Sequence, residues 1–383
     1  MTGLSTPPPQ RPVLLVISGL IGALVFASST EGWRQGALAF LGVLFGVTLH
    51  HASFGFASAY RHFFVRGDSR GILAQLLMLA LATALFAPLL ISGAARGAVS
   101  PLALQAVFGA ALFGIGMQLG SGCACGTLYA IGGGSSVMLI TLAGFGGGSF
   151  LATLSSDAWK GLPRLEPVSL ADRLGWSGVL LQLTVLTALA LILWKWKRPL
   201  PNDFHPFWPR AQRRALLQGP WATVTGAVAL ALLGALTLAL AGRPWGVTWG
   251  FTLWTAKLAQ AMGWDPATGS IWQQQRFAEA LQGGLLQDTT SVMNAGIVLG
   301  AAAAAAAAGR LGLRLPSSRR ICLAALLGGL SMGYGAWLSF GCNVGAYFGG
   351  IASTSLHGWL WIVFALLGTA LGVQLRPLFG LNN

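Results

Sequence analysis

The chain has 383 residues, of which 55% are hydrophobic and only 8% charged, and its mean hydropathy is +0.69. A soluble domain carries roughly 25% charged residues, so the composition excludes a soluble globular protein and indicates a polytopic membrane protein. The net charge of +14 does not indicate nucleic acid, because the cations are scattered through loops between apolar runs, as the positive-inside rule expects.

With about 20 residues needed per crossing, the candidate spans lie near 13–29, 36–56, 72–93, 102–120, 127–152, 178–196, 221–241, 246–263, 291–308, 321–340 and 343–372. About nine of these are expected to cross fully, and those beside the cysteines to enter the membrane and turn back. The first run has weak basic flanking and no convincing cleavage site near Ala27-Ser28-Ser29, so it reads as a retained span. The second run closes on His50-His51 beside Ser53, an interfacial pair by position. Arg61, Arg66 and Arg70 follow it. The loop 195–214 carries Lys195, Lys197, Arg198, Arg210, Arg213 and Arg214 and connects two halves of the chain. Arg310, Arg314, Arg319 and Arg320 form a third basic cluster, and all three clusters are expected in the cytoplasm.

A short sequence occurs twice. Residues 114–126 read GIGMQLGSGCACG and residues 333–345 read GYGAWLSFGCNVG, a shift of 219 positions (333 against 114). Each copy sets one cysteine, Cys123 or Cys342, among glycines inside an apolar stretch. Asp68 and Asp288, each preceding an apolar run, align at a shift of 220 (288 against 68). Phe54-Gly55-Phe56 resembles Trp249-Gly250-Phe251, and Arg61 then falls near Lys257. Corresponding loops have opposite charge bias: 61–70 holds three Arg and its counterpart 286–290 none, whereas 94–101 holds one and 309–320 four. Opposite bias puts corresponding loops on opposite faces, the inverted-topology repeat of many transporters, whose sites lie at the repeat interface near the midplane. The expected fold is therefore all-α, an inverted repeat of about nine transmembrane helices with short re-entrant helices meeting at a central constriction. Its divisions would be an N-terminal segment and first span (1–35), repeat 1 (36–155), a connector (156–239), repeat 2 (240–372) and a C-terminal tail (373–383).

Glycines at this density break helices, and broken backbone in a membrane is tolerated only inside protein or along a cavity. Helices restarting after Gly122 and Gly341 would aim positive N-terminal ends inward, where anions bind. Close helix packing through Gly116-x3-Gly120 is the competing reading. A neutral thiol is a weak donor and acceptor and suits a polarizable, sulfur-containing anion, whereas a thiolate would repel it. Cys125 lies too near Cys123 in sequence for a local disulfide, and Cys322 reads as packing. Gln118, Ser121, Tyr129, Asn343 and Tyr347 surround the cysteines and would either donate to an anion or satisfy broken backbone; His357 sits where it could cap a turn. No carboxylate relay, metal-ligand spacing, phosphate loop, dinucleotide fingerprint or nucleophile elbow occurs, so neither a metal, a cofactor nor an enzyme is expected. A thiol-redox or sulfurtransferase enzyme using Cys123, and a structural subunit of a larger complex, remain as alternatives.

The segments GMQLGSGCACGTLYAIGGGS, LPRLEPVSL, GVTWGFTLWTAKLA and GCNVGAYFGGIASTSLHGWLW together resemble the YeeE/YedE family of bacterial inner-membrane sulfur-transport proteins, over residues 36 to 378. The resemblance implies import of thiosulfate through an hourglass of inverted repeats, in which thiols hand the anion inward at the waist. Some relatives are linked to selenium compounds instead. It carries the waist cysteines onto Cys123 and Cys342, flanked by Gly122 and Gly341. A third pathway cysteine, expected in an F-C-F-like segment, is replaced here by Gly55, and Cys125 could compensate. A small TusA-like sulfur carrier is the implied cytoplasmic partner.

Overall fold

The computed structural model describes residues 7–197, 206–208 and 218–382. Arg198, Arg210, Arg213 and Arg214 of the connector lie outside the described residues. The first half comprises α1 (Arg11–Ser29), α2 (Trp33–Ala52), α3 (Phe56–Arg66), α4 (Arg70–Ile91), α5 (Leu104–Leu119), α6 (Ala124–Gly132) and α7 (Val137–Leu154). Short α8 (Leu170–Leu174) and long α9 (Trp176–Trp196) lead to α10 (Thr223–Ala241), α11 (Thr248–Ala261), α12 (Gln275–Gln282), α13 (Thr289–Ala307) and α14 (Arg319–Leu338). A π-helical segment, Asn343–Gly349, runs into α15 (Gly350–Ala352), and α16 (Leu356–Leu375) ends the bundle. One two-residue ladder, β1 (Leu102–Ala103) antiparallel to β2 (Arg164–Leu165), ties two loops together.

Ten helical segments among the described residues are long and apolar enough to cross a membrane, rather than nine. Two of these, α14 and α16 on either side of Cys342, are each 20 residues long. Conversely, the run 246–263 yields only the 14 residues of α11, about 21 Å at 1.5 Å per residue. The run 127–152 is not one span, because the chain turns at 133–136 between α6 and α7.

Lipid supplies no hydrophobic force between helices, so association depends on close van der Waals contact through small residues. Glycines supply it here. On α2 and α13, Gly42 lies against Met293, Gly46 against Ile297, and Gly296 against Ala39 and Val43, so these helices run parallel. Gly144 and Gly329 pack α7 parallel to α14, and Gly114 and Gly368 pack α5 parallel to α16. On α5 and α14, Gly109 meets Gly335 while Gly116 meets Gly328, an antiparallel crossing. Gly109 and Gly328 correspond under the 219-residue shift (328 against 109), as do Gly116 and Gly335, so the two contacts exchange under the repeat.

The wider packing has the same pseudo-symmetry. With α2, α3, α4, α5 and α7 matched to α10, α11, α13, α14 and α16, the pair α7·α14 maps onto α16·α5, α2·α13 onto α10·α4, and α3·α16 onto α11·α7; all are in contact. The corners after the short helices match too. Gly134 O and Ser136 N bond to Arg314 N and O at 2.8 and 3.1 Å, while Thr354 O and Leu356 N bond to Leu170 N and Val168 O at 2.9 and 3.0 Å.

Two mouths open at opposite ends of α14. Its 20 residues span about 30 Å at 1.5 Å per residue. At its C-terminal end a vestibule of about 720 Å³ is lined by Ala336, Trp337, Phe340 and Gly341. At the other end, before Arg319, lie two adjoining cavities of about 300 and 230 Å³ that share Ser53 and Tyr129. Described members of all three basic clusters gather at this second end: Arg70 lines one cavity, Arg310 and Arg314 the other, and the Ser69 hydroxyl donates to Lys197 O at 2.6 Å.

Candidate functional site

Between the mouths both glycine-cysteine segments fold alike. Each long helix, α5 or α14, stops, and a residue two before the cysteine takes left-handed backbone: Ser121 at φ 56° and Phe340 at φ 59°. For L-residues that conformation costs about 1–2 kcal/mol, and its recurrence at matched positions marks a corner imposed by the surrounding packing. The helix restarts after each cysteine rather than after the glycine. Cys123 and Cys342 are themselves the N-caps, extended at φ −92°, ψ −173° and φ −104°, ψ −166°. Of the two glycines only Gly341 needs glycine's freedom, at φ +145°.

Three thiols are buried here and none is in a disulfide. The sulfurs of Cys123 and Cys125 lie 3.4 Å apart. The Cys123 thiol faces the backbone N–H groups of Phe56 and Gly126, and a Cβ on Gly126 would sit 3.4 Å from its sulfur. The Cys342 sulfur accepts from Val344 N at 3.4 Å, and Cys342 belongs to the same buried cluster as Cys123 and Cys125. Each thiol thus ends at the start of a short helix, where unpaired backbone donors collect. Cys322, on α14, is half-buried and away from this cluster.

The polar residues around the thiols are incompletely satisfied. Asn343 is fully buried, and neither atom of its amide has a partner. Gln118 donates to Ala57 O at 3.0 Å, yet its Oε1 is unpartnered, and the hydroxyl of buried Tyr60 lies beside Asn343 and Tyr347. Buried polar atoms are nearly always hydrogen-bonded, and a cluster of exceptions calls for a ligand, water or strain. Aromatic rings enclose the cluster: Phe56 is edge-on to Tyr347, and Tyr347 stacks on Trp361. Trp361 donates to Ser339 Oγ at 3.0 Å, and Ser339 in turn holds Gly335 O and Gly341 O, fixing the corner before Cys342.

Gly55 lines the 300 Å³ cavity with Ser58, Gln75 and Tyr129. A Cβ at position 55 would fall against the Ser58 hydroxyl, which donates to Gly55 O at 3.1 Å. A hydroxyl therefore fills the space a side chain at 55 would take, and Tyr129 OH is the next polar atom. Ser121 is exposed, and its hydroxyl accepts from Arg376 at 3.3 Å. His357 is buried on the first turn of α16, with Nδ1 3.4 Å from Ser355 Oγ. His51 is buried against Trp221, and both His50 and His51 line the 230 Å³ cavity.

Arg376 was not legible as part of this region. It is buried at the end of α16, donates to Gln118 O and Ser121 Oγ, and reaches Asn382 O at 2.6 Å. It thereby caps the open carbonyl end of α5 and ties the Cys123 corner to the C-terminal segment. The one available signal was an Arg-Pro pair closing a long apolar run. Tyr60, beside Asn343, and Gln75, in the 300 Å³ cavity, were also missed, because each comes from a helix remote in sequence from the cysteines.

The vestibule is cationic. Lys160, Arg164, Arg243 and Arg276 line it with Trp249 and Trp337. Asp157 at its rim pairs with Lys160, whose ammonium holds that carboxyl below the usual carboxylate range, with help from the Ser270 hydroxyl. Arg276 lies over the Phe277 ring, 4.3 Å from its centroid. The basic side chains thus stand at this mouth, and the buried thiols lie deeper in, beyond Gly341.

A family model described as sulphur transport matches residues 51–371. The chain is 27% identical over 344 residues to the thiosulfate transporter TsuA of Spirochaeta thermophila, an alignment covering 86% of this chain and 94% of that protein. It is 33% identical over 161 residues to the probable transporter YedE of Escherichia coli, covering 42% of this chain and 39% of YedE, and 32% identical over an equal length to YedE of Salmonella typhimurium. The matched region contains both cysteine corners and most of the helices that build the two mouths, so the chain belongs to the YeeE/YedE family of sulfur-transport proteins, and its function at that level is the membrane transport of a sulfur-containing anion.

Proposed function

We propose that this protein imports thiosulfate across the bacterial inner membrane by relaying it along buried neutral thiols. The observation that carries this reading is the position of Cys342, Cys123 and Cys125 between two mouths on opposite ends of α14, amid buried polar atoms that lack partners. An anion drawn into the cationic vestibule meets Gly341 and Cys342 first. It passes to the Cys123–Cys125 pair and leaves by the cavity under Gly55, where Ser58 and Tyr129 offer hydroxyls in place of a third thiol. S–H groups and the amide of Asn343 offer weak donors in sequence. Weak, multiple contacts suit passage, because a bound ion must also leave.

The helix arrangement supports an inverted repeat, 36–155 against 240–372, joined by the connector 156–239. Helices α5 and α14 correspond in sequence and pack antiparallel, so the pseudo-twofold axis crosses them at right angles, as an axis in the membrane plane requires. In this reading α6 and the Asn343–Ala352 segment are re-entrant and meet at the waist. The gathering of basic clusters around Arg70, Lys197 and Arg310 supports a cytoplasmic second end, and a TusA-like carrier would dock there.

The test is growth on thiosulfate as sole sulfur source in a strain lacking its sulfate and thiosulfate permeases, with protein level checked by blot. Wild type should rescue, and Cys123→Ala and Cys342→Ala should each lose rescue at equal expression. Rescue by both variants would sink the relay. Failure of every form despite expression would point to another sulfur or selenium substrate.

A further inference from the structure

Gln75 lines the cavity of about 300 Å³ beneath Gly55, and passage past Ser58 and Tyr129 gives it no task. It is 1% exposed, and neither its Oε1 nor its Nε2 has a hydrogen-bond partner among the described residues. Burying an amide in that state costs stability. Packing fixes its place. Gly71, one turn earlier on the same face of α4, lies against Ala59 of α3, the residue after Ser58. A Cβ on Gly55 would sit 2.5 Å from Ser58 Oγ and 3.5 Å from Tyr129 OH, so both hydroxyls face one wall of the cavity. Arg70 and Asp68, paired at 2.6 Å, line it too, with His62. They stand at the start of α4, and Gln75 is about 8 Å further along the helix at 1.5 Å per residue, deeper in the membrane.

The repeat supplies a comparison. Under the 219-residue shift Gln75 corresponds to Asn294 on α13 (294 against 75), and Gly250 is the counterpart of Gly55 in the matched aromatic-glycine segments. Asn294 is also buried, with Oδ1 unpartnered, but its Nδ2 donates to Val247 O at 2.9 Å and fills the space beside Gly250. In that copy the carboxamide ties down the segment before the glycine. Gln75 makes no such bond, so the structural duty of its counterpart does not account for it.

We propose that the Gln75 carboxamide is an oxyanion-binding contact of the inner cavity, donating through Nε2 to an oxygen of the sulfur oxyanion after it leaves the thiols. The inference deepens the transport reading and rests on it for the identity of the ion. An amide offers two N–H donors, where a thiol offers one weak S–H donor. It carries no charge, so the ion is held loosely enough to leave. Thiols and amide in succession thus engage the sulfur end and the oxygen end of one ion.

Equilibrium binding of radiolabelled thiosulfate to sealed membrane vesicles of both orientations tests this in the full chain. The Cys123→Ala/Cys342→Ala background is used so that transport does not contribute. On the face to which the inner cavity opens, saturable binding is expected. Gln75→Leu should weaken it at least tenfold, as should Gln75→Glu, which keeps the shape and adds a negative charge. Gln75→Asn, which keeps the amide, should weaken it less. Binding through the vestibule should change less than twofold, and Gln75→Leu should melt no lower than its background, so that lost binding is not lost folding. Equal binding with and without Gln75→Leu, no saturable binding on the inner face, or loss on both faces together overturns the contact. A lowered melting temperature with unchanged binding also overturns it and gives the amide to a structural water. The cysteine relay fails separately, if the double cysteine variant still takes up thiosulfate in right-side-out vesicles.

Discussion

At the residue scale, Cys342 has two separable duties. Its sulfur accepts from Val344 N and so caps the segment that follows, and in the proposed relay its S–H contacts the anion. Serine is a good N-cap but a hard, less polarizable donor, whereas alanine caps poorly and costs about 1 kcal/mol. Cys342→Ser should therefore melt within about a degree or two of wild type yet lose thiosulfate uptake, while Cys342→Ala should lose both stability and uptake. Uptake at wild-type rate by the serine variant would show that only the cap matters. Asn343 makes the opposite case. Its amide is buried without partners, and removing such a group relieves a desolvation cost of about 1–3 kcal/mol. Asn343→Leu is expected to raise the melting temperature in detergent and to reduce uptake at least tenfold. A lowered melting temperature would mean that the amide is satisfied by bound water and serves structure.

At the element scale, glycines set the distance between helices. A Cβ on Gly368 would collide with the carbonyl oxygen of Ala111, and this clash is with backbone, which cannot swing aside. Gly368→Val should cost about 1–3 kcal/mol through overpacking. Gly147, only one residue from the tightly packed Gly148, has just the tip of Leu330 within 3.7 Å. Gly147→Ala should be silent, and a thermal-unfolding comparison of the two variants checks the assignment of contact faces. The motif glycines divide in the same manner. Gly116 is pressed on Gly328 and serves packing, as the small-residue spacing suggested, whereas Gly341 serves a backbone turn. Sequence alone left both duties open because a missing Cβ answers either need.

At the scale of the whole molecule, the proposed orientation follows from where the cations gather. Leu165 beside the vestibule and Leu313 beside the Arg314 corner are both largely exposed. In a Cys322→Ser background, Leu165→Cys should react with a membrane-impermeant maleimide in intact cells, and Leu313→Cys only after lysis. The reverse pattern would invert the direction of the relay, and labelling of both in intact cells would remove the opposite-face arrangement. The described parts of the three basic clusters come together although they lie far apart in the chain, and no single cluster could have established that.

The membrane class, the duplicated cysteine segment and the family were readable from composition and local pattern, since hydropathy and broken helices are properties of short stretches of chain. Ser121 and Phe340 could be aligned by counting, but their shared left-handed backbone could not be foreseen, because neither residue type prefers it and only packing enforces it. The N-cap position of both cysteines, the Cys123–Cys125 contact and the unpartnered amide of Asn343 depend on where each chain segment turns. Tyr60 beside Asn343, Ser58 in the space left by Gly55, and Arg376 on the carbonyl end of α5 depend on contacts between distant helices. Sequence determined what each segment would be in lipid, because transfer free energy and backbone satisfaction act locally. Tertiary structure decided which polar groups meet at the waist and at the mouths, because close packing of helices distant in sequence sets those meetings.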